Sequence, residues 1–286
     1  MTTKKIINVA SVPQRSPFRY PGGKTWLVPE IRSWLSSLPK KPEIFIEPFA
    51  GGGIVSLTVA FEGLAGHVVM VEKDEFVSAV WKVILEDADW LANRILGFNL
   101  TIDHVREVLS SPSRNLRDKA FQVILRNRVQ RGGIMAHGAS LIKLGENGKG
   151  ISSRWYPETL AKRIRAIHEH RNRISFIEGD AFIIIPQFLK YENVAFFIDP
   201  PYTAGGKRAG NRLYTYNTID HPALFAMMAK AKGTFMMTYD DAEEVKNMAR
   251  VYDLSVERIP MKSTHHAMIY ELLISPGDRT IRQVFP

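Results

Sequence analysis

An α/β fold on a mostly parallel sheet is predicted by three observations: apolar strands that each run into a turn and a helix, a spacing of about twenty residues between the first two such units, and the return of the same pattern after a long helical gap. Ile44 to Glu47 reads as a buried strand, Gly51 to Gly53 as a glycine turn, and the apolar run after it as a helix. Val68 to Val71 repeats the pattern, ending at Glu72 before a second helix. Between about 86 and 155 strand runs disappear. Amphipathic stretches such as AFQVILRNRVQR lead into the Gly-, Ser- and Asn-rich GGIMAHGASLIKLGENGKGISS, which reads as an inserted helical subdomain with flexible loops. Strands then return in RISFIEGD, NVAFFIDPPY, AKGTFMMTYD and IYELLIS. The domain expectation is therefore a catalytic unit from 1–85 and 156–286, interrupted by 86–155. Ligands of such sheets bind beyond the carboxyl ends of the strands.

Composition narrows the chemistry. With 286 residues, 45% of them hydrophobic, the chain can bury a full core. The absence of cysteine excludes disulfides, thiol nucleophiles and cysteine-based zinc sites and suits a reducing, cytoplasmic setting. No apolar run is long enough for a membrane span, and MTTKKIINVA lacks the pattern of a cleavable signal. The net charge of +9 is concentrated: Arg114 to Arg173 holds 14 Lys and Arg against four acids, leaving the rest near neutral. A local basic excess is the footprint of a polyanion partner such as nucleic acid, or of a solvated helix face.

The sharpest chemistry is Asp199-Pro200-Pro201-Tyr202 at the end of the strand Val194 to Ile198. Two prolines stiffen the exit from the strand, so the Asp199 carboxylate and the Pro200 carbonyl form a fixed pair of acceptors. An exocyclic aromatic amine is a poor nucleophile because its lone pair is delocalised into the ring. Two acceptors on its two N–H groups free that lone pair, and Tyr202 can stack on the base. A bare Asp-Pro-Pro also ends strands and caps turns; the tyrosine, the apolar strand and the glycine turn together favour the catalytic reading.

Together with Phe-Arg-Tyr-Pro-Gly-Gly-Lys (18 to 24) and Ile-Glu-Pro-Phe-Ala-Gly-Gly-Gly (46 to 53), this tetrapeptide resembles the D12 class, the Dam-like adenine-N6 DNA methyltransferases, in motif order along essentially the whole chain. The resemblance implies a Rossmann-like S-adenosylmethionine-dependent methyltransferase sheet in which the insertion 86–155 recognises the target. It implies cofactor contacts from Tyr20, Gly22, Gly23, Lys24, Glu47, Pro48, Phe49, Gly51, Gly53, Glu72, Asp180 and Asp199. Lys24 would pair with the cofactor carboxylate, Glu72 would accept from the ribose hydroxyls, and Asp180 from the cofactor adenine amino group. Family members often have Phe directly after that last acid, whereas here Ala181 intervenes before Phe182; the replacement works only if the chain bends there.

The partner implied is double-stranded DNA with a flipped adenine, since N6 cannot be attacked inside the stack. Arg126, Arg128 and Arg131 are candidate nucleic-acid contacts on the insertion, and Lys207 and Arg208 on the glycine-rich stretch Thr203 to Leu213. Tyr214 and Tyr216 could line the base pocket, while His221 starts a helix between Asp220 and Pro222. No Asn- and Phe-rich loop of the kind that reads GATC is found, so no recognition site is assigned. Transfer needs no metal, because the sulfonium methyl is already activated. A monomer suffices for one flipped base, and a cognate restriction endonuclease is a possible companion. Alternatives are RNA adenine-N6 or DNA cytosine-N4 methylation, which present the same kind of amine, and a catalytically silent DNA-binding protein on the same scaffold. Protein-glutamine methylation fits less well, because those enzymes carry Asn where this chain has Asp199.

Overall fold

A computed structural model of the chain describes residues 9–19, 22–133, 140–201, 218–262 and 268–277. Its centre is one seven-stranded sheet of β1 (Ile44–Glu47), β2 (His67–Glu72), β3 (Ile174–Glu178), β4 (Val194–Ile198), β5 (Thr234–Asp240), β6 (Ser255–Lys262) and β7 (Met268–Ser275), in the order β3-β2-β1-β4-β5-β7-β6. The first five strands are parallel, and β7 runs antiparallel to both β5 and β6. The Rossmann-like α/β architecture expected from the sequence is present.

The parallel centre follows from composition. All five residues of β4 are buried, and consecutive side chains alternate between the two faces: Ala195 and Phe197 join one apolar cluster, Phe196 and Ile198 the other. The first cluster is covered by α1 (Val28–Ser37), α2 (Ile54–Glu62), α3 (Glu75–Leu96), α5 (Leu116–Val129) and α6 (Pro157–Glu169); α4 (Ile102–Ser110) contributes Val105 to it. The opposite cluster is covered by α7 (Ala181–Phe188), α8 (His221–Met228) and α9 (Glu243–Val251). Strand order reverses between β1 and β4, and the ends of these two strands carry Glu47 and Asp199. The crevice beyond that reversal is where open α/β sheets bind ligands.

Helix starts are fixed by short polar side chains. Asp74 accepts from Phe76 N (2.8 Å) and Val77 N (3.3 Å) at α3, and Asp220 accepts from Ala223 N (2.9 Å) at α8, so His221 does begin a helix. α3 continues past residue 85 and is interrupted at Asp87, whose backbone is not helical (φ −148°, ψ 54°). From 86 to 155, the described backbone is helical or irregular apart from an isolated bridge between Gln130 and Leu141. Leu91, Ile95, Ile124 and Leu125 lie in the same cluster as Phe45 and Leu57, so this region packs on the sheet's own core. Trp155 is buried and meets Phe98 edge-on at 5.8 Å, so it packs this region onto the core. β6 has no counterpart in the sequence reading. Pro260 interrupts its run, yet β6 is an edge strand, where a residue without N–H is tolerated.

Candidate active site

The glycine turn after β1 is fastened on several sides. Glu47 is buried, and its Oε2 accepts from Ser56 N (2.9 Å) in the first turn of α2. Ala50 N donates to Val71 O of β2 (2.9 Å), the Trp81 indole donates to Gly51 O (3.0 Å), and the Ser16 hydroxyl donates to Gly52 O (2.5 Å). Gly53 has φ +63°, and a Cβ there would stand 2.6 Å from Met70 Cε and 2.9 Å from Trp81 Cζ2. Only glycine fits that backbone and that space. Pro48 is buried beside the turn, and Phe49 packs half-buried on the second cluster.

Two acids mark the tips of the neighbouring strands. Glu72 Oε2 accepts from Gly51 N (2.8 Å), while its Oε1 accepts from Lys73 N (2.8 Å) and Asp74 N (2.9 Å). Burial pushes this carboxyl up to about 7, against the pull of the three N–H donors. A carboxylate offers about four acceptor positions, so room remains for a hydroxyl donor. Asp180 caps α7 through Phe182 N (2.9 Å) and pairs with Lys73 Nζ (2.7 Å). Burial works against its ionisation, yet the Lys73 and Phe182 donors outweigh this and hold its carboxyl below the usual range. The strand ends at Glu178 and the helix begins at Ala181, so the chain does bend before Phe182, which packs partly buried on the second cluster.

Asp199 stands one residue beyond β4, where three elements converge on it. Its Oδ1 accepts from the Thr238 hydroxyl of β5 (2.7 Å) and lies 3.0 Å from Lys24 Nζ. Lys24 is 3% exposed; it begins a short 3-10 helix (Lys24–Leu27), donates to Gly22 O (2.9 Å), and sits 3.6 Å from Glu271 Oε2 of β7. Gly22 (φ +73°) and Gly23 are exposed and bring the chain to this point. Lys24 therefore holds the tetrapeptide acid, a partner the sequence did not suggest. Burial, then the charges of Asp199 and Glu72, push Glu47 up to about 8; burial also pushes Glu271 up to about 7, with Lys24 opposing and Asp199 and Asp240 reinforcing it. Pro200 is buried. Behind the site, His221 Nδ1 and the buried Tyr239 hydroxyl share a hydrogen bond of 3.0 Å.

These residues fit a nucleoside cofactor bearing an amino-acid tail. A glycine turn with no room for a Cβ at Gly53 is flanked by acceptors at the tips of β2 and β3, and the Asp199 cluster stands at the adjoining strand end. Residues 20–110 match the D12 class N6 adenine-specific DNA methyltransferases. The D12 match takes in residues 20–24 of the glycine-lysine motif, the turn from Glu47 to Gly53, and Glu72, and it ends before Asp199. It supports methyl transfer and, with it, use of S-adenosylmethionine. Comparison with curated proteins gives no match. Among solved structures, an rRNA methyltransferase from Streptomyces viridochromogenes is 14% identical with a TM-score of 0.43, over 93% of this chain and 90% of the other. An rRNA methylase from Streptococcus thermophilus is 10% identical with a TM-score of 0.37, over 88% and 97%. A precorrin-6y C5,15-methyltransferase from Geobacter metallireducens is 12% identical with a TM-score of 0.34, over 86% and 87%. At these scores none bears on the substrate.

The three arginines of the insertion part company. Arg131 is exposed, Arg126 half-buried, and Arg128 only 4% exposed with its guanidinium donating to Pro17 O. Burial, then the charges of Arg163, Arg19 and Arg154, bring Arg128 down to about 9. Asn127 joins the same structure, accepting from Arg19 N (2.8 Å) and donating to Arg19 O (2.9 Å) and Gly133 O (3.0 Å). Tyr20, Tyr202, Lys207, Arg208, Tyr214 and Tyr216 lie outside the described residues. Thr238 and Glu271 were missed by the sequence reading; the signal available was a polar residue interrupting the apolar core of each of the runs TFMMTYD and MIYELLIS. Among the described residues no helix is long and apolar enough to cross a membrane.

Proposed function

We propose that this chain transfers a methyl group from S-adenosylmethionine to the N6 amino group of adenine in double-stranded DNA, acting as a monomer on one flipped base. The observation that carries the reading is Asp199, placed at the reversal of strand order and oriented by Lys24 and Thr238 beside the glycine turn. The D12 match over residues 20–110 supports adenine N6 and DNA as the target.

Glu72 would hold the ribose hydroxyls, Asp180 the adenine amino group, and the main chain at Gly51 and Gly53 the amino-acid end of the cofactor. When bound, S-adenosylmethionine supplies an electrophilic methyl on a sulfonium. Asp199 accepts one N–H of the target amine and the Pro200 carbonyl the other, which turns the nitrogen lone pair toward the methyl. Tyr202 would stack on the base, and the proton lost from the nitrogen after transfer would pass to solvent. Arg126 and Arg131 face the phosphates from the insertion. Arg128 supports the insertion from within, because its guanidinium is committed to Pro17 O.

Purified protein given labelled S-adenosylmethionine with duplex DNA, single-stranded DNA or total RNA tests this directly. N6-methyladenine in duplex DNA is the expected product. Label confined to RNA, or to cytosine, overturns the substrate.

A further inference from the structure

Asp199, Lys24 and Glu271 form a group of two carboxylates around one ammonium, in which Lys24 and Glu271 are buried and Asp199 is half-buried. Lys24 is 3% and Glu271 7% exposed, and Glu271 Oε2 has no hydrogen-bond partner in the described structure, Lys24 Nζ lying at 3.6 Å. The groups that face Glu271 are Lys24 from the 3-10 helix, Asp199 from the end of β4, and Asp240, its cross-strand partner on β5; its partner on β6 is the uncharged Ile259. Glu47 lies within electrostatic reach of both Asp199 and Glu72. Among the described groups, Asp199 and Glu271 set two carboxyls close to the ammonium of Lys24, and Asp240 adds a third within electrostatic reach of Glu271. A negative charge on Glu271, which is almost out of solvent, favours a cation nearby over a neutral group.

We propose that Glu271, through Lys24 and Asp199, makes the site select the cationic sulfonium cofactor over its uncharged thioether product, and that this selection depends on the ionisation of Glu271. The inference rests on the methyl-transfer reading, which puts the sulfonium beside the amine that Asp199 holds. With Glu271 ionised, the group is one charge more negative than with Glu271 protonated, and that added charge attracts the sulfonium and leaves the thioether unaffected. With Glu271 protonated the preference for the cation weakens. Burial places this titration near neutrality, at about 7. Entry of the sulfonium therefore expels a proton from Glu271, and conversion to the thioether lets one return. The site loosens its hold on product at the moment the methyl leaves. Glu271 is a positioning residue in this account, since it acts through Lys24 and Asp199 and touches neither substrate.

The test is calorimetric binding of S-adenosylmethionine and S-adenosylhomocysteine to the full chain, wild type and Glu271→Gln, between about pH 6 and about pH 7.5. In the wild type the ratio of the two affinities rises several-fold in favour of S-adenosylmethionine as pH increases, as expected for one carboxylate near a unit charge. In Glu271→Gln the rise shrinks, because Glu47 and Glu72 remain while Glu271 no longer titrates. Repeating the wild-type titration in buffers of different ionisation enthalpy needs no variant, and S-adenosylmethionine should release more protons than S-adenosylhomocysteine. A ratio independent of pH with equal proton release overturns the inference, as does a variant that keeps the wild-type curve, and either result leaves methyl transfer standing. Failure of both ligands to bind defeats the methyl-transfer reading and this inference with it.

Discussion

Replacing Gly53 by alanine tests whether the turn after β1 is held by collision as well as by conformation. Gly53 and Gly63 share φ +63°, but their surroundings differ: a Cβ at Gly53 meets Met70 Cε at 2.6 Å and Trp81 at 2.9 Å, whereas at Gly63 the only atom within 4 Å is the end of the flexible Arg173 side chain at 3.5 Å. Left-handed backbone costs a non-glycine residue about 1–2 kcal/mol, and this applies to both sites. Met70 Cε is the end of a flexible side chain, but Trp81 is a rigid ring with no exposed surface, so overpacking against it adds about 1–3 kcal/mol at Gly53 alone. Gly63→Ala should therefore lose about 1–2 kcal/mol and Gly53→Ala about 2–5 kcal/mol. Urea unfolding of both variants with unchanged slope gives the two values. Equal losses would refute the packing argument and leave backbone strain as the sole reason for glycine at 53.

Two further predictions use other parts of the site. Glu47 holds a proton in the folded chain, at about 8, that the unfolded chain releases near 4.5, so its contribution to stability is fully present below the lower value and is lost as pH rises to the upper one. Glu47→Gln removes that loss, and its unfolding free energy relative to wild type, read from urea unfolding at several pH values, should climb across the window at up to about 1.4 kcal/mol per pH unit; a difference that stays constant with pH counts against a buried protonated Glu47. Arg131 is exposed, so Arg131→Ala should leave stability within about 0.5 kcal/mol while weakening duplex binding and reducing the salt slope by roughly one. Unchanged binding across a salt series would remove Arg131 from the DNA contacts.

Periodicity and composition made the sheet's centre legible, because strands buried on both faces have to be continuous apolar runs; β4 coincides with the run Val194 to Ile198. Edge strand β6 lacked that signal: Glu257, Arg258 and Pro260 break its apolar pattern, and only pairing with β7 makes it a strand. The acids at strand ends, Glu72 and Asp199, were readable because their place depends on local chain order. The role of Lys24 was not, since its partners Asp199 and Glu271 lie 175 and 247 residues further along the chain. Arg128 escaped for the same reason: its carbonyl partner at Pro17 is remote in sequence, and an arginine on an amphipathic helix reads as surface until that partner is known.

The measurement that bears most directly on the account is nucleoside mass spectrometry of plasmid DNA from a methylation-deficient host expressing either the wild-type chain or Asp199→Ala. The account predicts N6-methyladenine with the wild type and none with Asp199→Ala, while the purified variant still binds S-adenosylmethionine. N6-methyladenine at wild-type levels from Asp199→Ala would contradict it.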